Sequence, residues 1–385
     1  MKKKSFLFFT IIFSFIFIYI FFYIYTFVNL EKNILQRFHS LERLNFHEKY
    51  SNKIHHLRSF KKLKKLKYSE YLYTVIEDFK SEKTNILFQG DAWAEQLINP
   101  EGKEENFKGY IKKILKRNNL GFINSGIASF SPTLMKLQLQ VLENDFKIFP
   151  DIIIAHIDQT DIGDENCRYK NKIKIKNNEI ISVSEKKYTG KQYDNTKLYK
   201  ESKILLKKQS KLIKTFKIIN FNAKYELIKF KNKNTKKISR ILKYGYKNRK
   251  EIKCYSKIHE YLVKSSSDEI AYFEKTVTDY INFVNKNDNV KKLFLVTFPH
   301  KNHIPKLYES ENLYKHNVSN IVDNLIKNNK KIFHLNFTKL IAEKKINIEK
   351  NNFFKNDPLA HINYDYYRNI YIKKLIDFVL NNLEN

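Results

Sequence analysis

Asp357 and His361 stand four residues apart in "DPLAHINY", just before a helical pattern that closes the chain. A late Asp-X-X-X-His of this kind can supply a base: the imidazole takes the proton of a neutral hydroxyl within hydrogen-bond reach, and the carboxylate orients the ring. The oxyanion that such chemistry creates needs preorganised donors, and the backbone N–H of Gly126 in "NSG" can be one of them. The hydroxyl itself would be displayed on a sharp turn between a strand and a helix. "NILFQGDAWAEQ", residues 85 to 96, reads as such a turn, but the residue after Gly90 and Asp91 is Ala92. Nearby hydroxyls on Ser125, Ser129 and Ser131 lie off this elbow, and Ser131-Pro132 reads as a helix start.

Other polar groups point to no metal centre and no cofactor. "DQTDIGDE" gathers Asp158, Asp161, Asp164 and Glu165 in an otherwise basic chain without the register of a calcium-binding loop, so it is expected to line the site or to pair with nearby lysines. His55-His56 and His300/His303 lack accompanying ligand residues and read as structural or surface groups. Cys167 and Cys254, the only cysteines, have neither knuckle nor CxxC spacing; free thiols and one disulfide both remain open.

The elements that must position these residues alternate. Strand-like apolar runs at 84–90, 121–126, 151–158, 292–299 and 331–337 are separated by helical patterns, including "SPTLMKLQLQVLENDF" and stretches near 266–286, 312–329 and 364–382. That rhythm predicts an α/β fold with a parallel sheet covered on both faces, with "QGDAW", "NSGIAS", "IDQTD" and "FPHKNH" converging beyond the carboxyl ends of the strands. Residues 165–265 break the rhythm and read as a Lys-rich insertion, a hairpin around Asn177-Asn178 followed by helices.

The first segment, 5–28, carries an uncharged apolar run from Phe6 to Val28, long enough at about 1.5 Å per residue to cross a hydrocarbon core of about 30 Å. Its bulky end lacks a cleavage site, so an uncleaved single-pass anchor is expected. Lys2, Lys3 and Lys4 predict a cytoplasmic N-terminus and an extracytoplasmic C-terminal domain, periplasmic or at the cell surface. Residues 29–67 read as a basic juxtamembrane stalk, and residues 68–164 with 266–385 as the folded domain. With 385 residues and 42% hydrophobic content the chain is no disordered tail. A net charge of +32 suits an anionic neighbour such as a lipid surface, polysaccharide or nucleic acid, and an A+T-biased genome would also produce it. No nucleic-acid motif is present, so no specific nucleic-acid partner is expected.

Taken in order, "GDAW", "NSG", "DQTD" and "DPLAH" resemble the blocks of the SGNH/GDSL hydrolases over residues 84–164 and 291–382. The resemblance implies a three-layer α/β/α flavodoxin-like fold and hydrolysis or transfer of acyl groups, often acetyl groups on polysaccharides, with membrane-anchored proteins of envelope glycans the most similar. By position it implies Ala92 in the place of the nucleophilic serine, supported by Asp91; His361 as base and Asp357 as its orienting carboxylate; and Gly126 and Thr160 as oxyanion donors, with Asp161 supporting. The chain departs from the family's pattern in three ways. A methyl group replaces the hydroxyl at Ala92, a loss that typically costs about 10⁶-fold in turnover, or roughly 8 kcal/mol. Thr160, with Gln159 beside it, stands where the family has asparagine, and three residues rather than two separate Asp357 from His361. The expected partner is an acylated polysaccharide or other glycan ester. The competing expectation is a basic, non-catalytic binding protein for anionic glycan, lipid or nucleic acid.

Overall fold

The computed structural model describes residues 9–18, 20–21, 45–46, 49–50, 53–54, 72–98, 104–177, 179–183, 265–304, 318–327, 329–355, 357 and 359–383. In chain order the elements are β1 (Thr74–Glu77), β2 (Thr84–Gln89), α1 (Ala92–Glu95), α2 (Glu104–Arg117), β3 (Leu120–Asn124), α3 (Pro132–Phe146) and β4 (Ile152–His156). A hairpin of β5 (Ile173–Lys176) and β6 (Glu179–Val183) follows, then α4 (Ser267–Asn285), β7 (Lys292–Thr297), α5 (Val318–Ile326), β8 (Ile332–Asn336), α6 (Phe337–Ala342) and α7 (Lys373–Asn381).

β2 is apolar at its centre, Ile86 to Phe88, β3 and β4 are apolar up to their last residue, and every residue of β3 and β4 is buried. Strands buried on both sides need helices on both faces, and the neighbours supply them. Ile86, Phe88, Phe122 and Ile154 face Ile111 and Leu115 of α2 and Leu375 and Val379 of α7. On the opposite face, Gln89 meets Gln138 of α3 and Tyr280 of α4. The six-stranded sheet runs β1-β3-β2-β4-β7-β8. Its five parallel strands therefore follow the 2-1-3-4-5 order of a doubly wound sheet, whose switch point lies between β2 and β4. β1 adds an antiparallel edge, Thr74 opposite Asn124, that the sequence patterns do not announce.

Capping is partly local and partly distant. α4 opens with a capping box in which Ser266 Oγ accepts from Glu269 N–H and Glu269 Oε2 accepts from Ser266 N–H. α3 begins at Pro132 as expected, yet Ser131 does not cap it: Glu165, 32 residues further on, accepts from Thr133 N–H at 2.8 Å, Thr133 Oγ1 at 2.8 Å and Ser131 Oγ at 2.6 Å. The hairpin falls where expected, with Asn177 at φ 51, and Val183 N–H bonds to Lys53 O at 2.9 Å.

The chain divides into two compact units. One comprises Met1–Ser51, Ser59–Tyr68 and Lys186–Arg249; the other contains the sheet. Of the expected anchor, 5–28, the described residues 9–18 and 20–21 are helical with Phe13, Phe15 and Phe17 exposed. No helix among the described residues is long and apolar enough to cross a membrane. Most of the expected stalk, most of the expected 165–265 insertion, and His55-His56 lie outside the described residues.

Candidate active site

β2 ends in Gly90, whose φ of 140 leaves it beside β4: a Cβ there would come within 2.9 Å of His156 Cβ and 3.0 Å of His156 O. Glycine is therefore required for the chain to turn here. Asp91 caps α1, its Oδ1 accepting from Trp93 N–H at 2.9 Å, and Ala92 is the first residue of that helix, half-buried. The loop after β3 clips the same turn: Asn124 Nδ2 donates to Ala94 O at 2.7 Å, and Ile127 N–H donates to Gly90 O at 2.9 Å. Beneath it, Gln89 is fixed by Gln138, Met135 O and Tyr280 OH.

The structure brings Asp357 and His361 together. Asp357 Oδ2 accepts from the His361 backbone N–H at 2.9 Å and bonds to the ring at Nδ1, while Oδ1 accepts from Leu359 N–H at 2.9 Å. The additional loop residue is absorbed by Ala360, which takes the left-handed region at φ 59. Partial burial raises the Asp357 carboxyl, but its bond to His361, the imidazolium charge and the two N–H donors outweigh this and hold it down at about 2. The His361 ring centroid lies 6.0 Å from that of Trp93, the residue after Ala92, so the pair faces the strand-to-helix turn.

Trp93 is the hub, and the sequence patterns do not single it out. Its indole stacks on His156 at 5.1 Å and 12°, packs against Phe298 at 4.7 Å, and donates from Nε1 to Asp158 Oδ2 at 3.0 Å. Its carbonyl accepts from Tyr367 OH at 2.7 Å. His156 is fully buried, with Nδ1 on Tyr371 OH at 2.6 Å and no partner for Nε2. Burial, and secondarily the nearby His361 charge, push His156 down to about 3, so it is neutral at physiological pH. Two signals stood in the sequence: Trp93 is the only tryptophan, and His156 is the one polar residue in the apolar run of β4.

The expected oxyanion donors are engaged internally. Gly126 N–H donates to Asn124 Oδ1 at 2.9 Å, and its lack of a side chain answers to packing, since a Cβ would fall 2.4 Å from Ala94 C. Thr160 Oγ1 donates to Asp158 Oδ1 at 2.6 Å, as does its N–H at 2.5 Å. Asp91, Asp158 and Asp161 are all buried, and one carboxylate oxygen from each lies within 4.8 Å of the others, the grouping that could hold a cation. Burial and then the Asp158 charge raise Asp91 and Asp161 well above the usual carboxylate range, as expected of like charges in one dry site. Asp164 pairs with Arg168 at 3.0 Å, one helical turn on, and Asp158 takes its donors from Trp93 and Thr160.

The nearby serines all lie off the elbow. Ser125 and Ser131 are fully buried, the latter on Glu165, and Ser129 Oγ is held by Arg168. His300 and His303 are buried with rings 5.8 Å apart, in keeping with a structural role. A second aspartate–histidine–hydroxyl chain does exist: Asp323 to His334 Nδ1 at 2.5 Å, and His334 Nε2 to Thr297 Oγ1 at 2.8 Å. Thr297 is only 1% exposed, however, so this chain ties β7 and β8 to α5 and has no access to substrate. Cys167 is disulfide-bonded, and Cys254 is the only other cysteine in the chain.

No protein-family profile and no curated protein matches this chain. Acetyl esterases are found among similar solved structures. A catalytic mutant of an acetylxylan esterase from Geobacillus stearothermophilus has a TM-score of 0.38 and 11% identity, covering 78% of this chain and 95% of that one. A second mutant, described as an acetyl-xylooligosaccharide esterase from the same genus, has a TM-score of 0.37 and 10% identity over 76% and 93%.

Chemically, the arrangement holds a basic nitrogen beside an elbow without a nucleophile. His361 Nδ1 is committed to Asp357, which leaves Nε2 as the proton acceptor. Neutral His156 behind Trp93 adds no like charge to oppose protonation of that ring.

Proposed function

We propose that this protein is a membrane-anchored, SGNH-type ester-handling protein with a three-layer flavodoxin-like domain, directed at O-acyl, chiefly acetyl, esters of envelope glycans, and lacking the acyl-enzyme step because Ala92 replaces the nucleophile. The single observation that carries this reading is the Asp357–His361 pair held against the strand-to-helix turn at Ala92. An orienting carboxylate held near 2 and an imidazole bonded through Nδ1 are what a hydroxyl at position 92 would need beside it. The apolar run from Phe6 to Val28 supports the anchor. The disulfide at Cys167 supports an oxidising, extracytoplasmic location for the domain.

The test is aryl-acetate hydrolysis by the full chain and its Ala92→Ser variant, alone and with His361→Ala. Serine should create activity that proceeds through an acyl-enzyme and that the histidine change abolishes. A folded but inert Ala92→Ser variant would count against the reading. The net charge of +32 supports a second reading, a basic binder of anionic polymer. It calls for binding that weakens steeply with salt and ignores His361.

A further inference from the structure

We propose that His361 acts directly on water, so that the native chain itself hydrolyses acyl esters slowly in a single displacement, with no covalent intermediate. This rests on the ester-site reading above and goes beyond it, since that reading requires only that the acyl-enzyme route be absent.

Three observations carry the proposal. First, the elbow itself supplies no nucleophile: Ala92 offers a methyl group, Ser125 and Ser131 are fully buried, and Ser129 Oγ lies off the elbow, accepting from Arg168. Second, the base is nevertheless assembled. Asp357 spends both carboxylate oxygens on the 359–361 loop and the His361 ring, and Ala360 adopts a left-handed conformation to close that loop. A non-glycine residue there costs roughly 1 kcal/mol, a local expense that typifies sites where a side chain must point one way. Third, His361 is partly exposed, and among the described residues Nδ1 is its only ring atom with a hydrogen bond; with the Asp357 carboxylate accepting at Nδ1, the lone pair of the neutral ring lies on Nε2.

The step balances without a further reagent. A water oxygen forms a bond to the acyl carbon while Nε2 takes one of its protons, giving a tetrahedral oxyanion and an imidazolium. The oxyanion collapses, the bond between the acyl carbon and the alcohol oxygen breaks, and the imidazolium returns its proton to the departing alcohol. Acid and alcohol are the products. Asp357 is a positioning residue throughout: it holds the ring and stabilises the imidazolium without itself taking the proton. General-base assistance is worth about 10²–10⁴-fold. The Gly126 N–H and Thr160 hydroxyl are engaged by Asn124 and Asp158, so the lower end of that range applies.

The experiment follows acetate release from a peracetylated monosaccharide, an unactivated ester that surface histidines do not cleave at a measurable rate. It uses the full native chain and its Ala92→Ser, His361→Gln and Asp357→Asn variants, each shown by a cooperative melt to be folded. The native chain should release acetate about 10²-fold faster than buffer, linearly from time zero, with a normal solvent deuterium isotope effect and no acetyl adduct by intact mass after acid quench. His361→Gln should return the rate to that of buffer, and Asp357→Asn should lower it at least about tenfold. If the native chain is no faster than His361→Gln while Ala92→Ser is active, the direct-water route falls and the ester-site reading stands. If both are inert, the two fall together. An acetyl adduct on the native chain would overturn the proposal by revealing a side-chain nucleophile.

Discussion

His156 ties the stability of the site to pH in a way that can be calculated. In the unfolded chain its imidazole titrates near 6.5, and in the folded protein burial holds it near 3. The unfolded state therefore binds a proton between these values that the native state refuses, and stability must fall as pH drops below about 6.5. Between pH 7 and pH 5 the calculated loss from this one residue is about 2 kcal/mol. Asp91 and Asp161 act in the opposite sense. Their carboxyls are raised in the fold, so the native state is the better proton binder and gains stability as pH falls. A single pH profile would mix these contributions, and the informative quantity is the difference between the native chain and His156→Gln, in which the carboxylate contributions cancel. Trp93, the only tryptophan and stacked on His156, gives a fluorescence signal from the site itself during urea denaturation. The stability of the native chain relative to the variant should shrink by about 2 kcal/mol from pH 7 to pH 5. Parallel pH profiles for the two proteins would refute the claim that His156 is held neutral by burial.

Two further outcomes follow from the packing. Gly126→Ala should lower stability by about 1–3 kcal/mol in denaturant titration, because its Cβ meets the backbone of α1 at 2.4 Å and that backbone is clipped by Asn124; a neutral result would show that the loop can retreat. Asp161→Asn should raise stability by about 1–3 kcal/mol at pH 8 by removing a buried charge, and the gain should vanish toward pH 4, where the native carboxyl is itself protonated. Stabilisation of the native chain but not of Asp161→Asn by millimolar divalent cation would show instead that the carboxylate group takes a metal.

What the sequence made legible is what is local. The five parallel strands stand out because each has a short apolar run, buried on both sides in the central ones, and Asp357 and His361 could be paired on paper because one loop sets their geometry. β1 escaped because "TVIE" is four residues long and only half-buried, which leaves no pattern to read. The partners of α3 and of the acidic stretch escaped because distance along the chain hides them: Glu165 reaches back to Thr133, and Asp158 receives the indole N–H of Trp93 from 65 residues away. Asn124 accepts from Gly126 N–H only two residues on, but its amide is held in place by donating to Ala94 O, 30 residues away, which no local pattern announces.

The partners of the two candidate donors change where the chemical deficit lies. Judged by residue types alone, the missing hydroxyl at position 92 is the largest defect. The packed site adds a second one, on the side of the developing negative charge: Asn124 holds one candidate donor and Asp158 the other, and both acceptors are buried and have further duties, Asn124 to Ala94 and Asp158 to Trp93. Each oxyanion donor is worth about 10²–10³ in turnover where it has been removed from a working enzyme. A serine placed at 92 would therefore meet a competent base but an unprepared electrophile side, and its rate should stop well short of a complete triad. The same argument explains why the base deserves to be tested on water first. His361 and Asp357 depend on nothing at position 92 for their geometry, since the 357–361 loop closes on its own N–H groups. On the proposed reading, the element the fold fully builds is therefore also the one that can work without the element it lacks.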